Sequence, residues 1–391
     1  MSSDLAIFGG KPVRERPFPD WPRVTDELKH SLINTLENDK WGVGSGSIDQ
    51  FNTRFSKMQD AKYSLAIHSG TSAIWVCLKA AGVEAGDEVI VPSYTFTSTA
   101  NCVLMRNAKP IFADINLNDI NLNPKSVEKK INKKTKAIII VHYGGVACDM
   151  EIFLKLKKKY NLYLIEDAAH GFLGKYKNKF LGTIGDLGAF SFHETKNIVG
   201  GQCGALSINN NKFINRANII LDKGTDRTSK RKKSYYSWKD IGSEYRAPEL
   251  SAALLYSQLL DVKKIQSKRE IIWNNYYNVI KKIKTNLFYL PLKKNKNIKN
   301  AFHVFPIVFK NKKLKNKFIK FMKKKNIECF FHYYPLHMST FGKKISKTTL
   351  KNTETIFDGL VRLPLYPNLT FKNQQKILKY LNLFVQKYHF L

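Results

Sequence analysis

The chain has 391 residues, 43% of them hydrophobic and 12% aromatic, enough to bury a large core and to divide into two domains. Its formal charge of +34 is spread as lysine among asparagine and isoleucine ("KKLKNKFIKFMKKKN", "KKNKNIKN") with no nucleic-acid-binding motif, so nucleic acid is not the expected partner, although the field would attract a small anion such as a nucleotide diphosphate. Five scattered cysteines without a C-x-x-C pair argue against a disulfide scaffold or zinc site, and the absence of a signal-peptide core or a membrane-length apolar run predicts a cytoplasmic protein with no membrane partner.

Short β-branched runs alternate with longer helical patterns from about residue 60 to 210. "YSLAIHS", "DEVIVPS", "KPIFADI", "KAIIIVHY" and "LYLIEDAA" read as strands, with "GTSAIWVCLKAAG", "TFTSTANCVLMRNA", "PKSVEKKINK" and "MEIFLKLKKKYN" as the helices between them. Strands apolar on both faces and joined by helices predict an α/β fold with a mostly parallel sheet, and ligands bind such sheets beyond the carboxyl ends of the strands. Ser69, Tyr94, His142 and Asp167 all fall at those ends. The polar, basic stretch "TDRTSKRKKSYYSWKDIGSEYRAPE" then reads as an excursion, and one long helical run extends from about Pro248 to Lys284. Beyond it "AFHVFPIVF" reads as a strand, "LKNKFIKFMKKKN" as a helix, "IECFFHYYPLH" as a strand and loop, and the chain ends in a helix. These divisions predict a large domain over 1–250 and a smaller C-terminal α/β domain over 251–391.

Three stretches at strand ends carry chemistry. In "HSGTSAI" a strand ends at Ser69 and a helix opens on Gly70, Thr71 and Ser72; unpaired amides and the helix dipole suit that turn to a phosphate, although Ser and Thr are also ordinary helix caps. "LIEDAAH" puts Glu166 and Asp167 at the end of an apolar strand, where a carboxylate needs a cation or donors. "SFHETKN" presents Lys196 just before a glycine-rich tail. Pyridoxal phosphate requires these groups together: a lysine to join it covalently, a carboxylate to keep its pyridine nitrogen protonated, a flat side chain on the ring and a phosphate cup. Lys196, Asp167, Tyr94 and the set Gly70, Thr71, Ser72 and Ser191 are the candidates, in that order. The protonated ring would draw electrons from the substrate carbon, and Lys196 would shuttle the proton released there.

With "SGTSAI", "AGDEVIVPSYTFTSTAN", "KPIFADI", "VHYGGVACDM", "IEDAAHG", "GTIGDLGAFSFHETKN" and "GALSIN" in order, the chain resembles the DegT/DnrJ/EryC1/StrS family of sugar aminotransferases from about residue 5 onward, most densely over 64–210. The resemblance implies a fold type I aminotransferase, a homodimer with shared active sites, and amino transfer from L-glutamate to a keto-6-deoxy nucleotide sugar, at C4, for polysaccharide or glycoconjugate synthesis. By motif match it gives Lys196 and Asp167 the roles just stated and places His170 beside the cofactor, where members carry Gln or His. A lysine rather than a histidine at 196 argues for transamination over dehydration. Gln202 and Cys203 replace the acid and a glycine of the family's G-E-G-G. Glu244 replaces an asparagine in "IGSEYRAPE", which makes Arg246 the candidate for phosphate binding across the dimer. "FFHYYPLH" adds His332 and His337 as candidate substrate contacts, and packing is the alternative for both. The opening "LAIFGGKPVRERPFPDWP" is more like members that act on keto-inositols or aminated ring acids. An enzyme for a cyclic ketone, a dehydratase and a non-catalytic regulator on the same fold are the alternatives.

Overall fold

A computed structural model describes residues 24–37, 46–228, 235–291 and 295–388, with Trp21 and Trp41; the opening motif at 5–22 otherwise lies outside the described residues. Helices α1 (Asp26–Glu37) and α2 (Ser47–Gln59) precede an alternating run: β1 (Ser64–Ile67), α3 (Gly70–Ala80), β2 (Glu88–Pro92), α4 (Thr97–Leu104), β3 (Lys109–Ala113), α5 (Pro124–Glu128), β4 (Thr135–Val141), α6 (Met150–Tyr160) and β5 (Tyr163–Asp167). A small hairpin, β6 (Lys175–Tyr176) and β7 (Lys179–Phe180), leads to β8 (Leu187–Ser191), β9 (Gly204–Ile208) and α7 (Ile214–Leu221). All five predicted strands form, and each of the predicted helices forms between them.

These strands make one seven-stranded sheet, in the order β1-β9-β8-β5-β4-β2-β3. Pairing is parallel from β8 through β5, β4 and β2 to β3, and β9 alone runs against its neighbours. The sheet is therefore mixed but mostly parallel. β2, β4 and β5 are buried along nearly their whole length because α3 and α4 cover one face and α6 the other, which explains their continuous apolar runs. The carboxyl ends of β1, β5 and β8 and the amino end of β9 meet at one edge.

The run from Pro248 to Lys284 is two helices, α8 (Glu249–Leu260) and α9 (Val262–Ile280), broken at Asp261. No glycine or proline marks the break; tertiary packing makes it. Leu255 and Leu259 of α8 join a cluster with Phe51 and Phe55 of α2, whereas Ile272, Trp273 and Tyr276 of α9 face a second core. That core covers an antiparallel sheet of β10 (Phe288–Tyr289), β12 (Phe305–Phe309) and β13 (Leu360–Leu363), while β11 (Ile298–Lys299) pairs with β6. Helices α10 (Lys312–Lys323), α11 (Thr340–Ile345), α12 (Lys351–Gly359) and α13 (Phe371–Tyr388) complete this part. The strand expected in "IECFFHYYPLH" is absent: only Phe330 bridges to Arg362, and the rest is an irregular wall. Among the described residues no helix is long and apolar enough to cross a membrane.

Candidate active site

A cavity of about 800 Å³ lies between the carboxyl edge of the large sheet and the C-terminal sheet, within the range typical of small-molecule sites. At its floor Ser69 caps α3, its Oγ accepting from the Ser72 amide at 3.1 Å. Gly70 and Thr71 open the helix, so their amides have no intrahelical partner, and both line the cavity with Ser191. Glycine is required there, since a Cβ on Gly70 would stand 2.8 Å from the Ser191 Cβ. A Cβ on Gly204 would stand 2.6 Å from the Ser69 carbonyl carbon, so this second glycine lets β9 pass beneath the turn. Thr71 Oγ1 lies 2.6 Å from Ser98 Oγ of α4, which fixes the hydroxyls across the cup. Bare amides at a positive helix end, ringed by hydroxyls, fit a phosphate.

Beside the cup, Asp167 ends β5. Its Oδ2 accepts from Thr99 Oγ1 at 2.9 Å and its Oδ1 from the Ala169 amide at 3.2 Å. Burial pushes this carboxyl above its usual range, against those hydrogen bonds and the charges of Lys196 and His142. A cationic ring nitrogen beside it would reverse that shift, so the acid fits a protonated pyridine. The adjacent Glu166 points to the other face of β5. There it meets His142 Nε2 at 2.8 Å and accepts from the amides of Gly182 and Ile184 at 2.7 and 2.6 Å. Of the two acids in "LIEDAAH", Asp167 therefore faces the cavity and Glu166 ties down the sheet edge that carries it.

Lys196 follows β8 in a turn closed by its amide on the His193 carbonyl, and its side chain lines the cavity. Burial lowers its pKa to about 8; Asp167 opposes that shift and the Arg362 charge adds to it. The amine thus becomes free at mildly alkaline pH, where an ordinary lysine is still charged, as a nucleophilic lysine needs. Asn197 anchors the turn to the C-terminal part, donating to the Ala301 carbonyl at 2.7 Å and accepting from His303 Nδ1 at 2.9 Å.

The opposite wall is aromatic and imidazole-rich. His170 stacks on His303 with ring centroids 4.1 Å apart, and His332 and Tyr333 stand nearby. His170 Nδ1 accepts from the Gly144 amide, which leaves the proton on Nε2 to donate to the Tyr333 hydroxyl at 3.2 Å. Burial, followed by neighbouring charges, drives His170, His303 and His332 well below the usual histidine range, so all three are neutral. Arg362 on β13 and Arg269 on α9 also line this wall.

The cavity brings together Gly70, Thr71, Asp167, His170, Ser191, Lys196 and His332. Four other expected residues lie elsewhere. Ser72 sits behind the cup, occupied with Ser69. Tyr94 is buried under the site against Tyr143 and Tyr333, because the turn after β2 points Phe96, two residues on, at the cavity instead. His337 is held by Ser93 Oγ at 2.6 Å and Glu354 Oε1 at 3.1 Å, a buried structural link. Arg246 lies outside the cavity of its own chain, 3.6 Å from Asp222, and Glu244 pairs with Lys223. In the altered glycine loop Gln202 lines the cavity, whereas Cys203 fills the core and its Sγ lies 3.6 Å from the Ile67 carbonyl. Positive φ falls on Gly201, so the lost glycine at 203 was not needed for the turn. Sequence reasoning missed Ser69 as cup, Phe96, Thr99, Tyr333, Arg269 and Arg362.

The chain is similar to known proteins along nearly its whole length. The model of the DegT/DnrJ/EryC1/StrS aminotransferase family matches residues 22–382. The dTDP-3-amino-3,6-dideoxy-alpha-D-galactopyranose transaminase of Aneurinibacillus thermoaerophilus is 30% identical, over 92% of this chain and 96% of its own. A putative L-glutamine:3-amino-2,3-dideoxy-scyllo-inosose aminotransferase of Micromonospora echinospora is 36% identical, over 66% of this chain and 62% of its own. Among solved structures, Helicobacter pylori PseC, an aminotransferase involved in the biosynthesis of pseudoaminic acid, superposes with a TM-score of 0.87 at 27% identity, covering 95% of this chain and all of that one.

Proposed function

The chain belongs to the DegT/DnrJ/EryC1/StrS aminotransferase family, a family of pyridoxal-phosphate-dependent enzymes, and from that premise we propose that it moves an amino group from L-glutamate to the C4 ketone of a nucleotide-linked 6-deoxysugar. The observation that carries the sugar-nucleotide reading is the match over 92% of this chain to a dideoxysugar-nucleotide transaminase, whose name places the amine at C3, so the C4 position rests on the resemblance of the sequence motifs alone. The charge of +34 supports it as an attraction for the diphosphate. A second reading, a cyclic keto-inositol as acceptor, is favoured by the higher identity to the inosose enzyme over two thirds of the chain.

Gly70, Thr71, Ser69 and Ser191 would hold the phosphate, Asp167 the ring nitrogen, Phe96 one face of the ring and His170 its surroundings, with Lys196 as the point of attachment. Bound pyridoxal phosphate supplies an electron sink that makes the carbon beside the amine acidic. Lys196 Nζ takes the proton from that carbon and returns it, a role for which a pKa of about 8 suits it. Asp167 keeps a positive charge opposite it, and the neutral histidines offer hydrogen bonds without repelling that charge. The exposed Tyr235, Tyr236, Trp238 and Ile241 of the excursion form an apolar surface that suits a second copy of this chain, and Arg246 would reach the partner's phosphate from beside it.

The test is spectroscopic. Wild type with pyridoxal phosphate should show the visible band of the lysine-bound cofactor, lose it on adding L-glutamate, and regain it on adding a 4-keto-6-deoxy nucleotide sugar. Lys196→Ala should show none of these changes. Recovery by a keto-inositol but by no 3-keto or 4-keto nucleotide sugar would overturn the acceptor assignment in favour of the second reading.

A further inference from the structure

Lysine runs through the whole chain, but acid does not. Residues 251–391 hold 29 Lys and Arg against five Asp and Glu, whereas residues 1–250 hold 36 against 26. In the first part lysines are drawn into ion pairs that knit the fold, such as Lys79–Asp240, Lys157–Asp186 and Lys159–Glu128. The excess sits in the C-terminal part and gathers on two of its helices. α10 (KKLKNKFIKFMK) and α13 (FKNQQKILKYLNLFVQKY) contain no acid. From Lys312 to Lys324 every exposed position is lysine except Asn316. α13 packs beside α10, with Phe318 and Phe321 against Phe384 at ring-centroid distances of 5.1 and 5.5 Å, and adds the exposed Lys372, Lys379 and Lys387. Neither these three nor Lys313, Lys320 and Lys324 form an ion pair among the described residues. Like charges crowded on one face repel one another unless an opposite charge meets them. On β13 Val361 points into the core with Phe318 and Phe384, while Arg362, the next residue, lines the cavity on the other face of the sheet. The lysine face therefore lies on the far side of the C-terminal sheet from the active site, and a partner seated on it leaves the cavity open.

We propose that this face docks the protein on an anionic membrane surface. The two arginines of residues 251–391, Arg269 and Arg362, both line the cavity, so the face is built from lysine alone. A lysine is a flexible point charge without the planar fork that reads one phosphate or base, and it suits a diffuse layer of negative head groups. The tyrosines at this face are covered: Lys325 stands over the Tyr380 ring at 5.4 Å and Lys317 over the Tyr388 ring at 5.0 Å, so neither is bare for a nucleic-acid base to stack on. Phe371 and Leu383 of α13, by contrast, are exposed among the lysines, where apolar side chains can enter a head-group layer. The expectation of no membrane partner rested on the lack of a spanning run. No described helix is long and apolar enough to span, and a surface contact needs none.

The experiment is flotation of the cofactor-loaded protein with vesicles of phosphatidylcholine alone and of equimolar phosphatidylcholine and phosphatidylglycerol, across a salt series; it reads binding only and does not depend on the proposed reaction. Binding should be confined to the anionic vesicles and should weaken as salt rises. The triple variant Lys313→Gln, Lys320→Gln, Lys324→Gln should bind them roughly 100-fold more weakly, and Lys320→Gln alone about fivefold more weakly. A second triple, Lys125→Gln, Lys133→Gln, Lys134→Gln, removes the same charge from exposed positions in residues 1–250 and should stay within about twofold of wild type. Equal weakening by the two triples would reduce the effect to net charge and overturn the proposal. Binding to neutral vesicles that matches the anionic ones would overturn it too. DNA that binds more tightly at the same salt and strips the protein from anionic vesicles would give the face to nucleic acid instead. Should the first triple not fold, Lys320→Gln against Lys133→Gln decides in the same way.

Discussion

The two walls of the cavity are built on opposite plans. On the sheet-edge wall the polar groups are tied to one another before any ligand arrives: Ser69 to Ser72, Thr71 to Ser98, Thr99 to Asp167, and behind them Glu166 to His142. On the C-terminal wall Arg269 is tied to the Phe302 and His303 carbonyls, but Arg362 Nε has no partner, and His303 and His332 are held neutral by burial. A wall that keeps a resident cofactor gains from being preorganised, because donors fixed in advance need no rearrangement when charge develops. A wall that must accept two chemically different substrates in turn gains from unspent hydrogen-bonding capacity.

Substitutions on the two walls should therefore fail in different ways. Asp167→Asn keeps shape and most hydrogen bonding but cannot hold the ring nitrogen protonated. It should lower the turnover rate by about 10²- to 10³-fold, with substrate half-saturation little changed and the cofactor still bound; a fall in substrate affinity alone would overturn the assignment of Asp167 to the ring nitrogen. Phe96 and Tyr94 sharpen the picture within one turn. Phe96→Ala should raise the pyridoxal phosphate concentration needed for half-loading by about tenfold, the order of one aromatic contact. Tyr94→Phe should leave loading untouched and thermal stability equal or higher, since the hydroxyl it removes is buried without a partner. Cofactor titrations and melting curves on the same preparations check both.

This division also explains what could be read from the chain. The sheet-edge wall is made of strand ends and the turns that follow them, so alternation of apolar runs places Gly70 and Asp167 at one edge without knowledge of tertiary packing, while Ser191 and Lys196 enter through the chemistry the cofactor requires, since β8 is not among the five strands expected. Local geometry then decides finer points. In "PSYTF" the bend after the strand turns Phe96 rather than Tyr94 toward the cavity, a two-residue error that a residue inventory cannot correct. The C-terminal wall is assembled from residues 303–304, an irregular segment at 328–333, the end of β13 with the residues that follow it, and one residue of α9, brought together only by the packing of the second core. Nothing in the apolar run "GLVRLPLYP" around Arg362 marks it as a site residue, and His332 and His337, five residues apart, part company because Ser93 and Glu354 claim the latter. The break at Asp261 is invisible for the same reason: α8 and α9 serve different cores.

The finest test is electrostatic, because Lys196 senses both walls at once. Its pKa of about 8 lies below the ordinary lysine value of 10.5 chiefly through burial, with Arg362 pushing the same way and Asp167 pushing back. In the cofactor-free protein the rate of pyridoxal phosphate capture should then rise with pH about a midpoint near 8, following the free amine. The unfolded chain keeps this proton up to about 10.5 and so binds more protons than the folded one between the two values. This group alone should therefore make the cofactor-free fold more stable as pH climbs from about 8 to 10.5, and contribute no slope well below 8. Arg362→Gln removes a positive neighbour and should move the capture midpoint up; Asp167→Asn removes a negative one and should move it down. Opposite displacements, read from stopped-flow rates across pH, would show that the amine sits between the two walls and feels each. Displacement in the same direction, or none for Arg362→Gln, would place that arginine's charge too far from Lys196 to set its proton affinity.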